Sequence, residues 1–138
     1  MLENNNKVAI VTGASSGIGY ATSLALSKAG VRVAVGARRI DRLQQLEKQI
    51  VKNGDEARGG GQEKIFIQRK LDVTSKTDCD SFVDTVVRKW GKVDILINNA
   101  GLMPLSYFKN CKVEEWEQMI DVNIKGLSYL EHYIFLFT

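Results

Sequence analysis

Thiols and imidazoles are scarce: the chain has two cysteines and one histidine in 138 residues. Cys79 and Cys111 have neither CxxC spacing nor a histidine beside them, so the sequence offers no zinc site and no thiol nucleophile, and both are expected to be reduced and inert. His132 lies in the closing aromatic stretch without a Ser/Asp or Cys partner, which leaves a catalytic triad unsupported. Charge of one sign is not concentrated anywhere either. The 19 basic and 16 acidic residues are spread along the chain, without the basic runs of a nucleic-acid arm, so nucleic acid is not an expected partner. Long apolar runs are also missing. The stretch 133–137 is far too short to span a bilayer, and residues 1–7 are polar and asparagine-rich where a signal peptide needs an apolar core. No membrane partner and a cytoplasmic location are the expectations.

What is present is the material of one globular domain: 44% apolar and 25% charged residues lie in the ordinary soluble range. Val8-Ala9-Ile10-Val11 is continuously apolar, as a parallel strand buried on both faces requires. Glycines follow at once, and 18–29 then carries a helical stripe of Ile18, Ala21, Leu24, Ala25 and Ala29, with Gly30 as the stop. A second buried strand is read at 31–37. The helix after it, 41–53, is set by Leu43, Leu46 and Ile50, with Gly54 as its stop. The segment 54–63, with three consecutive glycines, has no apolar period and is read as a surface loop. A third strand with its exit occupies 64–73. Thr74 or Ser75 caps a helix bearing Phe82, Val83, Val86, Val87 and Trp90, stopped by Gly91. A fourth strand is read at 93–97, and a last helix from about 113 continues past Asn123. Strands alternating with helices imply a parallel sheet with helices on both faces, so the fold class is α/β, a doubly wound Rossmann-type layer of about four βα units in a single domain, 1–138.

Thr12-Gly13-Ala14-Ser15-Ser16-Gly17-Ile18-Gly19 falls between the first strand and first helix, where backbone N–H groups at a helix N-terminus can face an anion such as a diphosphate. Gly13 permits the tight turn, Gly17 lets backbone approach the pyrophosphate, and Gly19 allows close helix–strand packing. With Ser15, Ser16 and Ile18 they form the candidate phosphate-binding set. No Lys-Ser or Lys-Thr follows the last glycine, so this is not the loop of a nucleoside triphosphatase.

The loop resembles the TGxxxGxG signature of the short-chain dehydrogenase/reductase family. Three further segments resemble family motifs in the same order: Leu71-Asp72-Val73, Asn98-Asn99-Ala100-Gly101 and Asp121-Val122-Asn123-Ile124-Lys125-Gly126. The resemblance implies hydride transfer between a nicotinamide dinucleotide and a carbonyl or alcohol substrate. It further implies adenine contact at Asp72 and Val73, cofactor contact at Asn99, Ala100 and Gly101, and a catalytic Asn123 that holds a proton-relay water. Self-association through the helix bearing Asn123 is common in the family, so a homo-oligomer is implied as well.

About 20 residues past the glycine loop, dinucleotide-binding folds place an acid for the adenosine ribose, or an Arg that accommodates a 2′-phosphate. Here that place holds Ala37-Arg38-Arg39. Guanidinium groups form charge-assisted, forked bonds to a phosphate that a carboxylate would repel, so NADP is expected over NAD. A solvated basic helix start is the plainer alternative. Some NADP-preferring relatives carry a basic residue just before the middle glycine of the loop. This chain has Ser16 there, so the preference rests on Arg38 and Arg39.

Family catalysis, by the same resemblance, needs a serine and a tyrosine with a lysine four residues on. The tyrosines are Tyr20, Tyr107, Tyr129 and Tyr133, followed four residues later by Leu24, Cys111, Tyr133 and Phe137. An isolated phenol, with a pKa of about 10, is poorly matched to proton transfer at neutral pH. The chain therefore reads as the cofactor-binding portion of such an enzyme, truncated and inactive alone, with the fourth strand left as an open edge. A non-catalytic nucleotide-binding or partner-binding module is the alternative.

Overall fold

A computed structural model describes residues 6–58, 65–110 and 112–137. Cys111, residues 59–63 of the glycine-rich segment and Lys64, the expected start of the third strand, lie outside them. Four strands, β1 (Val8–Thr12), β2 (Arg32–Ala37), β3 (Phe66–Lys70) and β4 (Ile95–Ile97), form one sheet in the order β3-β2-β1-β4. Every pairing is parallel, with Ala9 opposite both Val33 and Ile95. Helices α1 (Gly17–Lys28), α2 (Ile40–Arg58) and α3 (Lys76–Trp90) make the crossovers, and α4 (Val113–Ile120) and α5 (Gly126–Phe135) follow β4. The layered α/β architecture expected from the alternation is the observed one.

The continuous apolar run of β1 follows from this layering. Val8 and Ile10 face a core built with Phe82, Val83, Val86 and Trp90 of α3 and Leu130 of α5. Ala9 and Val11 face the opposite core, with Leu43, Leu46 and Ile50 of α2. All four strand residues are fully buried, so no position was free to be polar.

The ends of α3 and the turn after α1 follow local chemistry. The Ser75 hydroxyl caps α3 by accepting from Asp78 N, and Gly91 closes it in the left-handed region at φ 81°. Gly30, at φ 84°, ends the turn after α1. The expected stop at Gly54 is not made: α2 runs through it to Arg58. A helical glycine costs only about 1 kcal/mol relative to alanine, and the stripe of Leu43, Leu46 and Ile50 anchors the helix before it is reached. The loop expected over 54–63 is thus helical to Arg58. The last helix begins at Val113 as expected but is not uniform, because Asp121–Lys125 form one π-helical turn between α4 and α5. Such widened turns often mark functional positions.

Candidate functional site

The turns that follow the C-terminal ends of all four strands surround one cavity of about 780 Å³. Its walls come from the glycine loop, from Arg38 and Arg39 after β2, from Asp72, Val73 and Thr74 after β3, and from Asn99, Ala100 and Gly101 after β4. A crevice at the carboxyl ends of parallel strands is where open α/β sheets bind ligands.

Thr12 builds the junction between the loop and the fourth turn. Its buried hydroxyl accepts from Asn99 N at 3.1 Å and Ala100 N at 3.0 Å. Asn99 returns the contact, its Nδ2 donating to Thr12 O at 3.2 Å and Gly13 O at 3.1 Å. The Asn99 amide therefore clamps the glycine loop. Gly13 has φ 63°, and a Cβ on it would stand 2.8 Å from Ala100 Cα. A Cβ on Gly19 would run into Asn99 Nδ2 and into Gly13 O at 2.7 Å. Gly17 is the opposite case: at φ 58° its Cβ would meet nothing within 4 Å, so only its backbone conformation demands glycine.

The first turn of α1 suits an anion. Its N-cap Ser16 makes no side-chain cap bond and the turn contains no acid, leaving the positive end of the helix without a partner of its own. Ser15 and Ser16 line the cavity beside it. Across from them, Arg39 Nη2 donates to Ser15 Oγ at 3.2 Å and Ser16 Oγ at 3.1 Å. A guanidinium from the β2–α2 turn thus stands at the loop position where a basic residue was missing from the sequence.

The far wall is acidic. Asp72 Oδ1 accepts from Thr74 Oγ1 at 2.7 Å and from Thr74 N at 3.0 Å. The Thr74 hydroxyl and then its N–H, with smaller help from the charges of Arg38 and Lys70, hold this carboxyl below the usual carboxylate range against the opposing effect of burial. Asp72 is ionised at neutral pH.

Asn123 occupies the π-helical turn, and both ends of its amide are engaged with one backbone residue. Oδ1 accepts from Leu102 N at 2.8 Å, and Nδ2 donates to Leu102 O at 2.8 Å. The side chain is a clasp on the strand-exit turn, and Leu102, not Asn123, lines the cavity. Gly17, Ile18 and Gly19 also stand off the lining, and the Ile18 side chain is 78% exposed. Sequence reasoning missed Thr74, Gln118, Asp121 and Val122, which complete the wall from α3's entry and the α4–π junction. The Asp121-Val122 dipeptide preceding Asn123 carried that signal. Of the remaining candidates, Cys79 is inert, since burial pushes its thiol up to about 12.

The short-chain dehydrogenase family model matches residues 7–134. The chain belongs to that family. An uncharacterized oxidoreductase of Staphylococcus saprophyticus is 43% identical over 124 residues, covering 90% of this chain and 46% of that protein. The chain thus spans about half the length of the curated relatives it matches. An actinorhodin polyketide ketoreductase solved with NADPH superposes with a TM-score of 0.85 at 30% identity, over 99% of this chain and 49% of its own. A short-chain dehydrogenase/reductase of Burkholderia phymatum solved with NAD gives a TM-score of 0.87 at 22% identity, over 100% and 46%, a likeness of fold. Among the described residues of this family member, no helix is long and apolar enough to cross a membrane.

Proposed function

We propose that these residues form the NADP-binding portion of a cytoplasmic short-chain dehydrogenase/reductase acting between NADP(H) and a carbonyl or alcohol. The observation that carries the choice of nucleotide is the cationic end of the cavity. Arg39 is tied to Ser15 and Ser16, Arg38 lines the same end, and no carboxylate stands directly after β2. A 2′-phosphate there replaces the serine hydroxyls as the Arg39 partner and gains a charge-assisted pair. The uncapped α1 N-terminus takes the diphosphate, and the glycines keep side chains out of its path. Asp72 accepts from the amino edge of the adenine base.

NADP(H), when bound, supplies the hydride. In the proposed enzyme, this chain's residues hold and orient the dinucleotide. Asn123 acts as a positioning residue, because both ends of its amide are spent on Leu102 and the widened turn around it sets where the cavity wall stands. The 138 residues contain no YxxxK, and an amide has no proton to donate at neutral pH, so the chain by itself lacks the general acid that typically contributes about 10²- to 10⁴-fold. The exposed stripe of Val113, Ile120, Ile124 and Leu127 along α4, the π turn and α5 is the surface through which a homo-oligomer forms.

Calorimetric titration with NADPH and NADH tests the reading. The expected result is NADPH bound about tenfold tighter or better, with no NADPH oxidation on any ketone or aldehyde offered to the 138-residue chain. Equal or reversed affinities overturn the nucleotide assignment.

A further inference from the structure

Asp72 stands where the chain leaves the sheet; Thr74, in the cavity wall, holds its carboxylate, while its backbone N–H is held from outside the cavity. Leu71 N makes the last bond to the β2 side, donating to Ala37 O at 3.0 Å. The next N–H, that of Asp72, has no strand to donate to and goes to Asp78 Oδ2 at 2.8 Å. Asp78 is the third residue of α3, and its own N–H donates to the Ser75 cap at 3.2 Å. In the common capping arrangement the side chain at this place reaches back to the cap residue's N–H. Here Ser75 N donates to Asp72 O at 3.1 Å, and the Asp78 carboxylate reaches three residues further back.

The second oxygen of Asp78 is also engaged. Oδ1 accepts from Arg69 Nη2 at 3.3 Å, while Arg69 Nη1 donates to Ser81 Oγ at 2.9 Å and Thr85 Oγ1 at 3.4 Å. Arg69 belongs to β3, Ser81 and Thr85 to later turns of α3. One carboxylate thus joins strand, helix and exit turn, yet it does not line the cavity. A cap serving α3 alone would need neither the Asp72 N–H nor the Arg69 bond.

We infer that Asp78 is a positioning residue for base recognition: through the Asp72 N–H it sets the angle at which the Asp72 carboxylate meets the edge of the bound base. This rests on the cofactor reading above. An ionised carboxylate only accepts hydrogen bonds, so Asp72 favours adenine, which presents an amino group, over hypoxanthine, which presents a carbonyl oxygen at the same place. Hydrogen bonds weaken steeply with misalignment, so this discrimination depends on how firmly the turn is held.

The test compares NADPH with its hypoxanthine counterpart on the wild-type chain, Asp78→Ala, Asp78→Asn and Arg69→Gln, and follows amide hydrogen exchange without ligand. The wild type prefers NADPH by about tenfold. Asp78→Ala brings the ratio near one, and Asp78→Asn, which keeps an oxygen for the Asp72 N–H, retains most of it. Arg69→Gln leaves Asp78 in place and lowers the ratio by about two- to threefold, so the inference stays testable should Asp78→Ala not fold. Exchange at the Asp72 amide rises about ten- to hundredfold in Asp78→Ala, with the amides of Val83 and Val86 unchanged. Equal weakening of both dinucleotides at an unchanged ratio reduces Asp78 to a helix cap and overturns the inference, as does unaltered exchange at Asp72. A wild type that binds neither dinucleotide overturns the cofactor reading and the recognition role with it, and the exchange measurement then decides separately whether Asp78 holds the turn.

Discussion

The glycine loop and the segment from Leu102 to Phe137 flank the same cavity but are built in opposite ways. The loop's attachment to the sheet is made from within the chain, although the positive end of α1 has no side-chain cap. Residues Val8 to Val11 beneath it are fully buried, and the Thr12 hydroxyl and the Asn99 amide lock it to the fourth turn. Past Leu102, Leu130 is buried in the core, but a row of apolar side chains turns outward, with Leu105 and Phe108 each 85% exposed and Ile124 60% exposed. Phe108 stacks on Trp116 at 5.9 Å, a local pairing that leaves the stripe on α4 and α5 uncovered. A charged dinucleotide, as proposed for this cavity, gains from a wall already in place, since ordering it on binding would cost affinity. The outward stripe needs a surface it does not itself contain.

Substitution of glycines should show the contrast most strongly. Gly13→Ala combines a left-handed backbone with a Cβ 2.8 Å from Ala100 Cα, and a loss of about 2–5 kcal/mol in denaturant unfolding is expected. Gly17→Ala shares the positive φ but meets open space, so about 1–2 kcal/mol is expected. Equal losses would mean that the clamp between loop and fourth turn does not constrain the loop.

A smaller effect is expected at the boundary between the two regions. Asn123→Leu removes both bonds to Leu102 and should lower stability by about 1–2 kcal/mol, with amide exchange at Leu102 accelerated and that at Val11 unchanged. Unaltered exchange at Leu102 would break the link between the π-helical turn and the cavity wall.

The smallest effect on folding is expected on the stripe. Ile124→Asp should leave the unfolding free energy within about 0.5 kcal/mol per protomer while shifting the chain toward monomer in light scattering. A substitution that leaves self-association untouched would show that another surface carries it.

The two regions also differed in how far the sequence disclosed them. β1 and the Gly91 stop rest on patterns spanning a few residues, and the structure has them at the expected places. The α1 helix is there too, but not its expected stripe, since Ile18, Ala21, Ala25 and Ala29 are exposed and the face that packs carries Gly19, Tyr20, Ser23 and Leu24. A glycine inside a helix and one that ends it look alike in a sequence, and so Gly54 misled. The Thr12 hub, the bridge from Arg39 to Ser15 and Ser16, and the Asp78–Asp72 bond join residues that only the fold makes neighbours. Asn123 was legible as a member of a motif but not as a clasp, because its role depends on Leu102, 21 residues away.

If the adenosine half of NADP is recognised within these 138 residues, as proposed, adenosine fragments bind to the chain by themselves. Calorimetric titration of the chain with 2′,5′-ADP and with 5′-AMP, repeated on Arg39→Ala, isolates the 2′-phosphate from everything else the cofactor carries. Saturable binding of 2′,5′-ADP, about tenfold or more tighter than 5′-AMP and reduced to parity in Arg39→Ala, is the predicted result. Equal binding of the two fragments to the wild type, or no saturable binding of either, would contradict it.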